Sequence, residues 1–387
     1  MKSSLKLIST KDMSKADWLS FRANGIGGSE VGVVMGVSPY KSALELFYDK
    51  LNPVRELEEN EAMHWGKALE DLIAERWQYW DNDPQTMMKN YEQDKIVRRC
   101  RVVNAYIINP KFPFLFSSLD RVINKEKNAI ENDVDAGEGV LEIKTISGYV
   151  SKMWDTGIPP SHVMQLQTYL LVTELTHGQL AILKDGRYME VVPFAASETI
   201  HSMIVKRCAD FWDKVIRARE VLNRFGITYY DEIATLPNRI EVRTLIDEIE
   251  PEPDGSIAYQ DFVSSRFASE PLTVKADEQN YHDALRYMLY NEQLKVIESN
   301  QRLVSNRLKN VMKEAEVMDF AEQGKITWST NKKGTRTFLV KVKQPKITTT
   351  EQDAIQALQS IQTEQDVQVV AEPVETEQSP LKQATEA

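Results

Sequence analysis

Apolar residues recur at helical spacing in several parts of the chain. Met63, Leu69, Ile73 and Trp77 fall on one stripe between residues 58 and 80, which predicts an amphipathic helix there. Further helical patterns cover residues 161–173, directly after a Pro-Pro pair, and residues 197–225.

The first 50 residues predict short helices that are separated by glycine. One helix ends near Phe21, and the stretch Gly25-Ile26-Gly27-Gly28-Ser29 follows it. Ser29 is expected to cap the next helix, and Ser42 is expected to begin another helix that runs to about Leu51.

Short runs of β-branched, aromatic and aliphatic residues predict strands between these helices. The runs cover residues 96–108, 114–123, 139–146, 178–184 and 188–193. Strands that alternate with helices are typical of α/β folds, in which helices cover both faces of a sheet. We therefore expect an α/β core with a mixed central sheet flanked by helices.

The chain beyond this core divides into three segments. Residues 226–273 lose clear periodicity and contain Pro251, Pro253 and Gly255, which predicts a linker or an irregular segment. Residues 274–346 begin with a helical pattern, which indicates either a helical hairpin or one long partner-facing helix, and end with two β-prone runs that predict a β-hairpin. Residues 347–387 are rich in Gln, Glu and Thr and predict a disordered acidic tail.

The composition excludes several classes of protein. Of the 387 residues, 42% are hydrophobic and 27% are charged, which is typical of a soluble globular protein. The sequence lacks the run of roughly 18 apolar residues that a membrane span needs, and its first residues lack the apolar core of a secretory signal. We therefore expect a cytoplasmic protein. Cys100 and Cys208 are too few for a disulfide framework or a four-cysteine metal site.

The net charge of −11 is concentrated in the predicted tail. Residues 347–387 carry eight acidic residues against Lys382, so the other 346 residues carry a net charge of only −4. The predicted hairpin contains no acidic residue and combines positive charge with aromatic rings, which suits DNA contact and equally suits a solvated surface hairpin. Its candidate DNA-contacting residues are Trp328, Lys332, Lys333 and Arg336.

The sharpest chemical signal is a pair of carboxylates next to a lysine. Asp120 is followed 22 residues later by Glu142-Ile143-Lys144. Because alternate residues of a strand share one face, Glu142 and Lys144 are expected to project together while Ile143 enters the core. Carboxylates suit a hard cation such as Mg²⁺, and a lysine suits the orientation of an attacking water. Charges are costly in an otherwise apolar strand, which favours a catalytic role over a solvated strand edge.

Glu70 is a candidate third carboxylate. It lies beside Asp71 on the helix predicted between residues 58 and 80. A helix packed across the sheet would bring Glu70 toward the same cations. The alternative is a surface glutamate.

Four separated segments resemble, in the right order between residues 17 and 183, the lambda-exonuclease and YqaJ-like viral recombinase nucleases of the D…E-x-K restriction-endonuclease-like superfamily. The segments are Phe21-Arg22 with Ile26-Gly27-Gly28-Ser29-Glu30, Trp65-Gly66-Lys67 with Glu70, Ser118-Leu119-Asp120 with Leu141-Glu142-Ile143-Lys144, and Gln165-Leu166-Gln167 with Tyr169. The resemblance implies a restriction-endonuclease-like nuclease domain over residues 1–225.

The resemblance also implies roles for individual residues. The implied metal ligands are Glu70, Asp120, Glu142 and the carbonyl of Ile143. Lys144 matches the residue that activates the nucleophilic water, and Gln165 matches the glutamine that closes the site from the following helix. The residues implied in holding the 5′ phosphate of the digested strand are Arg22, Ser29 and Ser118. A guanidinium suits this task because it clamps phosphate oxygens bidentately, although a helix-end salt bridge also explains Arg22.

By resemblance, the expected activity is that of a Mg²⁺-dependent 5′-to-3′ exonuclease on linear double-stranded DNA, with Mn²⁺ as a substitute metal. Such an enzyme releases 5′-mononucleotides and leaves 3′ overhangs for a single-strand annealing protein. The resemblance implies a homo-oligomeric ring of phage or prophage origin that acts in the cytoplasm of a bacterial host, with no membrane partner. The alternatives are an endonuclease of the same superfamily and a non-catalytic protein that binds DNA ends.

Overall fold

The computed structural model describes residues 4–52, 60–125, 138–148, 154, 157–266, 273–332 and 334–343. They belong to two units, one from Met1 to Arg266 and one from Phe267 to Thr348. The predicted tail and residues 131–137 of the acidic loop lie outside the described residues. No helix within the described ranges is both long enough and apolar enough to cross a membrane.

The first unit alternates helices and strands as the sequence predicts. Its helices are α1 (Lys15–Ala23), α2 (Gly28–Val34), α3 (Ala43–Leu51), α4 (Glu61–Trp77), α5 (Pro84–Glu92), α6 (Pro160–Thr173), α7 (Glu198–Arg224), α8 (Arg239–Asp247) and α9 (Ile257–Arg266). Its strands are β1 (Lys6–Ser9), β2 (Ile26–Gly27), β3 (Cys100–Arg101), β4 (Ala105–Ile108), β5 (Leu115–Ser117), β6 (Arg121–Ile123), β7 (Gly139–Ile146), β8 (His177–Lys184) and β9 (Tyr188–Ala195).

Side-chain caps fix where several helices begin. The Ser42 side chain accepts a hydrogen bond from the backbone N–H of Glu45 at 3.2 Å, so α3 begins where the sequence predicts. The Asn60 side chain accepts from the N–H of Met63 at 2.9 Å and starts α4. Each cap satisfies an N–H group that has no partner inside the helix.

Five strands form a mixed central sheet in the order β3-β6-β7-β8-β9. Strands β7 and β8 run parallel, whereas β6 is antiparallel to β7 and β9 is antiparallel to β8. A smaller sheet has the order β1-β4-β5-β2. Strand β7 therefore lies at the centre of the larger sheet, with neighbours on both sides.

Helices cover both faces of this central sheet. On one face, Ile73 and Trp77 of α4 pack against Leu141 and Ile143 of β7. On the other face, Leu166 of α6 packs against β8. The predicted α/β class and the mixed central sheet flanked by helices are confirmed.

The structure differs from the predicted linker at residues 226–273. This segment contains a 3₁₀ turn (Tyr230–Thr235) and the helices α8 and α9. Val242 and Ile246 of α8 are fully buried in the main core. They lie one turn apart, a spacing too short to stand out as a periodic pattern, and the Pro and Gly residues that suggested a linker lie between the two helices.

The second unit contains one long helix and a three-stranded sheet. The helix α10 (Glu278–Met312) has 35 residues, so the long-helix interpretation holds over residues 278–312 rather than the helical hairpin. The sheet consists of β10 (Val317–Asp319), β11 (Gly324–Thr330) and β12 (Arg336–Val342). Strands β11 and β12 form the predicted hairpin, with Trp328 opposite Phe338. The division of function between the two units stays a prediction.

Candidate active site

Strand β7 places Glu142 and Lys144 on one face, as its alternation predicts. Lys144 Nζ donates to Glu142 Oε1 at 2.6 Å, and Glu142 is only 1% exposed. Burial lowers the pKa of Lys144, but the charges of Glu142 and Asp120 outweigh burial and leave that pKa raised. The lysine is therefore a stable cation beside a buried carboxylate.

Helix α6 closes this face of the sheet over Glu142. Gln165 Nε2 donates to Glu142 Oε1 at 2.8 Å and lies 2.7 Å from the hydroxyl oxygen of Tyr169, one helical turn further on. Burial raises the pKa of Tyr169 well above its usual value, so its hydroxyl stays protonated. The chain Glu142–Gln165–Tyr169 fixes one carboxylate oxygen of Glu142 in place.

Asp120 follows β5 and joins this cluster through the backbone of β7. Its Oδ2 accepts a hydrogen bond from the N–H of Ile143 at 2.8 Å. Burial and the nearby Glu142 carboxylate together raise the pKa of Asp120 to about 7. Two carboxylates close enough to raise a pKa in this way carry unfavourable like charge at neutral pH.

Glu70 is held by Arg121 rather than by the Glu142 cluster. Arg121 NH1 donates to Glu70 Oε1 at 2.5 Å, and its NH2 donates to Asp71. Arg121 pairs across the sheet with Leu141, which packs on the α4 side, so the ion pair lies on that face. Burial raises the pKa of Glu70, and the charge of Asp120 contributes, so Glu70 is within electrostatic range of the cluster.

The donor set fits a cation that needs few protein ligands. Within the described ranges, no group of three or more His, Cys, Asp or Glu side chains is arranged to hold a metal ion. Asp120 and Glu142 still offer two carboxylates, and Mg²⁺ commonly binds one or two carboxylates with water and phosphate oxygens completing its coordination. The buried Glu142 Oε2 has no hydrogen-bond partner among the described atoms, which leaves one acceptor for such a cation.

The glycine segment lies against the same cluster. A Cβ atom at Gly28 would lie 2.4 Å from Cε1 of Tyr169, so only glycine allows this close approach. Helix α2 begins at Gly28 with Gly27 as its N-cap, and Glu30 Oε2 accepts from the N–H of Gly27 at 2.8 Å. Ser29 is therefore not the N-cap that the sequence predicts, because α2 begins one residue before it and Ser29 lies exposed in the first turn.

Arg22 lies at the end of α1 with its guanidinium partly exposed. Its NH2 donates to Glu30 Oε1 at 3.3 Å, and Lys50 Nζ donates to the other Glu30 oxygen at 2.9 Å. The charge of Arg22 also acts on Tyr169, which places the guanidinium within electrostatic range of the cluster. Ser118 is exposed two residues before Asp120. The phosphate-binding role of Arg22, Ser29 and Ser118 stays a prediction.

The predicted DNA-contacting residues of the hairpin have different surroundings. The guanidinium of Arg336 stacks 3.6 Å from the Trp328 ring centroid and donates to the backbone oxygens of Lys313, Ala315 and Trp328. These contacts join the hairpin to the end of α10 and give Arg336 a structural task. Lys332 is exposed, and Lys333 lies outside the described residues.

Three residues of this neighbourhood were not singled out from the sequence as site residues. Arg121 and Tyr169 make the contacts described above, and His162 on α6 lies near Gln165 and Lys144. Burial and the Lys144 charge together lower the pKa of His162 to about 4, so the imidazole is neutral at pH 7. The position of His162 one turn before Gln165 was the available signal, because both lie on one face of the predicted helix.

Gly28→Ala is expected to disturb the cluster from outside it. The added Cβ forces the Tyr169 ring to shift, and overpacking of this kind costs about 1–3 kcal/mol. The shift also weakens the contact of Tyr169 with Gln165, so activity that depends on this cluster should fall together with the melting temperature. Gly255→Ala is the matched control, because the Cβ that alanine adds there would have no atom of the described residues within 4 Å. Equal behaviour of the two variants in thermal melts would contradict the role given to Gly28.

Comparisons with known proteins support one family. Residues 17–176 match the model of the YqaJ-like viral recombinase domain. The protein YqaJ of Bacillus subtilis (strain 168) is 27% identical over 317 residues, which cover 80% of this chain and 82% of the relative.

Two solved structures are also similar. One is an alkaline exonuclease, LHK-Exo, from Laribacter hongkongensis, with 16% identity, a TM-score of 0.42 and coverage of 54% of this chain and 97% of the other. The other is a phage-related exonuclease from Haemophilus somnus 129PT, with 11% identity, a TM-score of 0.29 and coverage of 50% of this chain and 95% of the other.

The family match and the carboxylate–lysine cluster support a nuclease role for the chain. Residues 17–176 match the YqaJ-like viral recombinase domain, so the resemblance found in the sequence is confirmed.

Proposed function

We propose that the protein is a Mg²⁺-dependent exonuclease that digests the 5′-terminated strand of linear duplex DNA. The observation that carries the proposal is the buried cluster in which Lys144 and Gln165 both contact Glu142 Oε1, next to Asp120. It combines a cation-binding carboxylate pair with a protonated lysine. This combination suits the hydrolysis of a phosphodiester better than it suits the stability of a buried strand.

Each residue of the cluster has a defined task in this proposal. Asp120 and Glu142 hold the cation, with the Ile143 carbonyl as the further ligand implied by the resemblance. Mg²⁺ bound there would supply Lewis-acid polarisation of the phosphate and a water of lowered pKa. Lys144 would orient the attacking water and stabilise negative charge that develops on it. Gln165 keeps Glu142 in the orientation that leaves Oε2 for the cation.

Glu70 reaches the cation only after a change of partner. Its Oε1 accepts from Arg121, and the charge of Asp120 contributes to the raised pKa of Glu70. A divalent cation between the carboxylates would compete with the Arg121 guanidinium for Glu70. We therefore propose Glu70 as a ligand that joins on metal binding.

The exonuclease proposal requires recognition of a DNA end. Arg22 has five N–H donors, of which one makes the 3.3 Å contact with Glu30. Its side chain is 24% exposed, and Ser29 and Ser118 are exposed hydroxyls. A 5′ phosphate held by these groups explains why digestion starts at an end. The endonuclease alternative needs no such contact.

The remaining parts of the proposal concern products and partners. The enzyme releases 5′-mononucleotides and leaves a 3′ overhang, which a single-strand annealing protein receives in the cytoplasm of a bacterial host. The chain acts as a homo-oligomeric ring of phage or prophage origin. Mn²⁺ substitutes for Mg²⁺, since it prefers similar oxygen ligands.

End dependence is tested by comparing linear duplexes that carry a 5′ phosphate or a 5′ hydroxyl with closed circular duplex DNA. We expect the circle to stay intact, and we expect the phosphate to accelerate digestion by the parent protein but not by Arg22→Gln. Arg217→Gln is the control, since Arg217 is exposed on α7 and contacts only its neighbour Asp213 at 3.8 Å among the ion pairs of the described residues. Cleavage of the circle would favour the endonuclease, and binding without digestion would favour the end-binding protein.

A further inference from the structure

Helix α10 exposes a row of side chains that follows a repeat of 3.5 residues. The row consists of Tyr287, Tyr290, Leu294, Ile297, Gln301, Val304, Leu308 and Val311, at alternating steps of three and four. All members except Gln301 are apolar. Six of them are 52–72% exposed, namely Tyr287, Tyr290, Leu294, Ile297, Val304 and Val311. Steps of three and four residues are the a and d positions of a coiled coil.

A polar face lies opposite this row. The f positions of the repeat carry Glu292, Ser299 and Asn306. A second apolar column, formed by Leu289, Val296 and Leu303 at the c positions, lies next to this polar column, and its members are 49–60% exposed. Because the polar g positions separate the two columns, the row of a and d positions is a stripe of its own.

The sheet of the second unit covers only the last turn of the helix and the end of the row. Met312 is buried, Leu308 is half-buried, and Lys309 Nζ lies 4.9 Å from the Phe338 ring centroid. The row between Tyr287 and Val304 therefore stays exposed over 18 residues, or roughly 27 Å of helix. Exposed apolar surface of this extent marks an interaction site.

We infer that this row, which we call the α10 seam, packs against the same seam of two or three further copies of this chain in a parallel bundle. A helix with a 3.5-residue apolar repeat packs best against another helix with the same repeat. A second copy of this chain carries such a helix. Leu294 and Leu308 occupy a positions, and Ile297, Val304 and Val311 occupy d positions. Leucine at a with β-branched residues at d favours three or four strands over two.

The charges beside the seam select the parallel arrangement. In a parallel bundle, Glu298 at an e position lies near Gln293 at a g position of the next copy. In an antiparallel pair centred on the seam, the two Glu298 side chains would meet, and like charges repel. The Gln301 side chains meet each other in the parallel register and can exchange amide hydrogen bonds, which fixes that register.

The first test measures the mass of the full chain by sedimentation equilibrium. The parent protein is expected to sediment as three or four copies, and Ile297→Glu with Val304→Glu is expected to lower that mass. Ser299→Glu with Asn306→Glu adds the same charge on the opposite face of α10 and should leave the mass unchanged. Far-UV circular dichroism confirms that all variants stay folded. A mass that the seam variant does not change, or one that both variants lower equally, overturns the inference.

The second test identifies the contacting residues by disulfide formation under mild oxidation. Val304→Cys places a thiol on the seam, and Asn306→Cys places one two residues away on the opposite face. We expect covalent dimers to form at least about fivefold more from Val304→Cys, since only the seam brings two Cα atoms within disulfide range. Equal cross-linking of both variants, or cross-linking of neither, contradicts the seam contact. An oligomer held together by the first unit alone would give one of these two results.

Discussion

Replacing Lys144 by alanine is expected to lower the rate of DNA hydrolysis by about 10²–10⁴-fold, the range for a positioned group that handles protons in a transition state. Lys144 lies 2.6 Å from Glu142 Oε1, and its pKa is raised by two carboxylates. Alanine removes the only part of the side chain that can orient water. Single-turnover digestion of linear duplex DNA measures this effect separately from DNA binding.

Two further variants show whether the loss is chemical or structural. Lys144→Gln keeps a hydrogen-bond donor without the charge, so it should remain folded and recover little activity. Lys184→Ala removes a lysine of similar exposure on the neighbouring strand β8, where it pairs with Glu190 at 2.6 Å. Equal losses for Lys144→Ala and Lys184→Ala would show that general damage to the sheet, and not the loss of a catalytic group, explains the result.

Replacing Asp120 by asparagine is expected to abolish activity and to stabilise the metal-free protein at alkaline pH. The pKa of Asp120 is about 7 in the folded protein, against 3.8 for an ordinary aspartate. The folded state therefore binds more protons than the unfolded chain between these two values. The stability contributed by the protonated form is fully present below pH 3.8 and is lost as the pH rises through about 7.

Asparagine removes this loss because it stays uncharged beside Glu142. Thermal melts in the presence of a chelator should show a higher melting temperature for Asp120→Asn than for the parent at pH 8. Each kcal/mol added to the free energy of unfolding should raise the melting temperature by about 2–4 °C. The difference should shrink at pH 5. A parent protein that melts above Asp120→Asn at pH 8 would contradict the like-charge description of the site.

The central part of the site follows from the sequence because it depends on one strand. Alternation along residues 139–146 sends Leu141 and Ile143 to one side and Glu142 and Lys144 to the other. The structure has this arrangement, with Ile143 in the core under α4. The placement of Gln165 over Glu142 came from the family resemblance, since no local pattern links a helix residue to a strand 23 residues away.

Other features depend on contacts that local patterns do not encode. Glu70 was grouped with the metal ligands, but Arg121 binds it, because the partner of a carboxylate depends on which residue of β6 faces α4. Ser29 has the residue type of an N-cap, but Gly27 is the N-cap and the Glu30 side chain accepts from its N–H. The burial of Val242 and Ile246 depends on packing against distant parts of the chain.

The α10 seam bears on how the enzyme assembles. A parallel bundle of long helices would hold several copies of the second unit together independently of any contact between nuclease domains. Substitutions in the seam would then lower the mass of the assembly and leave Lys144 and the residues that contact it unchanged. Activity of the seam variants on linear DNA measures whether assembly contributes to the number of nucleotides removed in one encounter.

The most direct test of the proposed function is the digestion of linear duplex DNA labelled separately at its 5′ and 3′ ends, with Mg²⁺ and with a chelator, by the parent protein and Lys144→Ala. We predict that the parent releases the 5′ label as a mononucleotide in Mg²⁺ only, and that Lys144→Ala releases it about 10²–10⁴-fold more slowly. Release of the 3′ label first, release in the chelator, or full activity of Lys144→Ala would contradict the proposed reaction and its site.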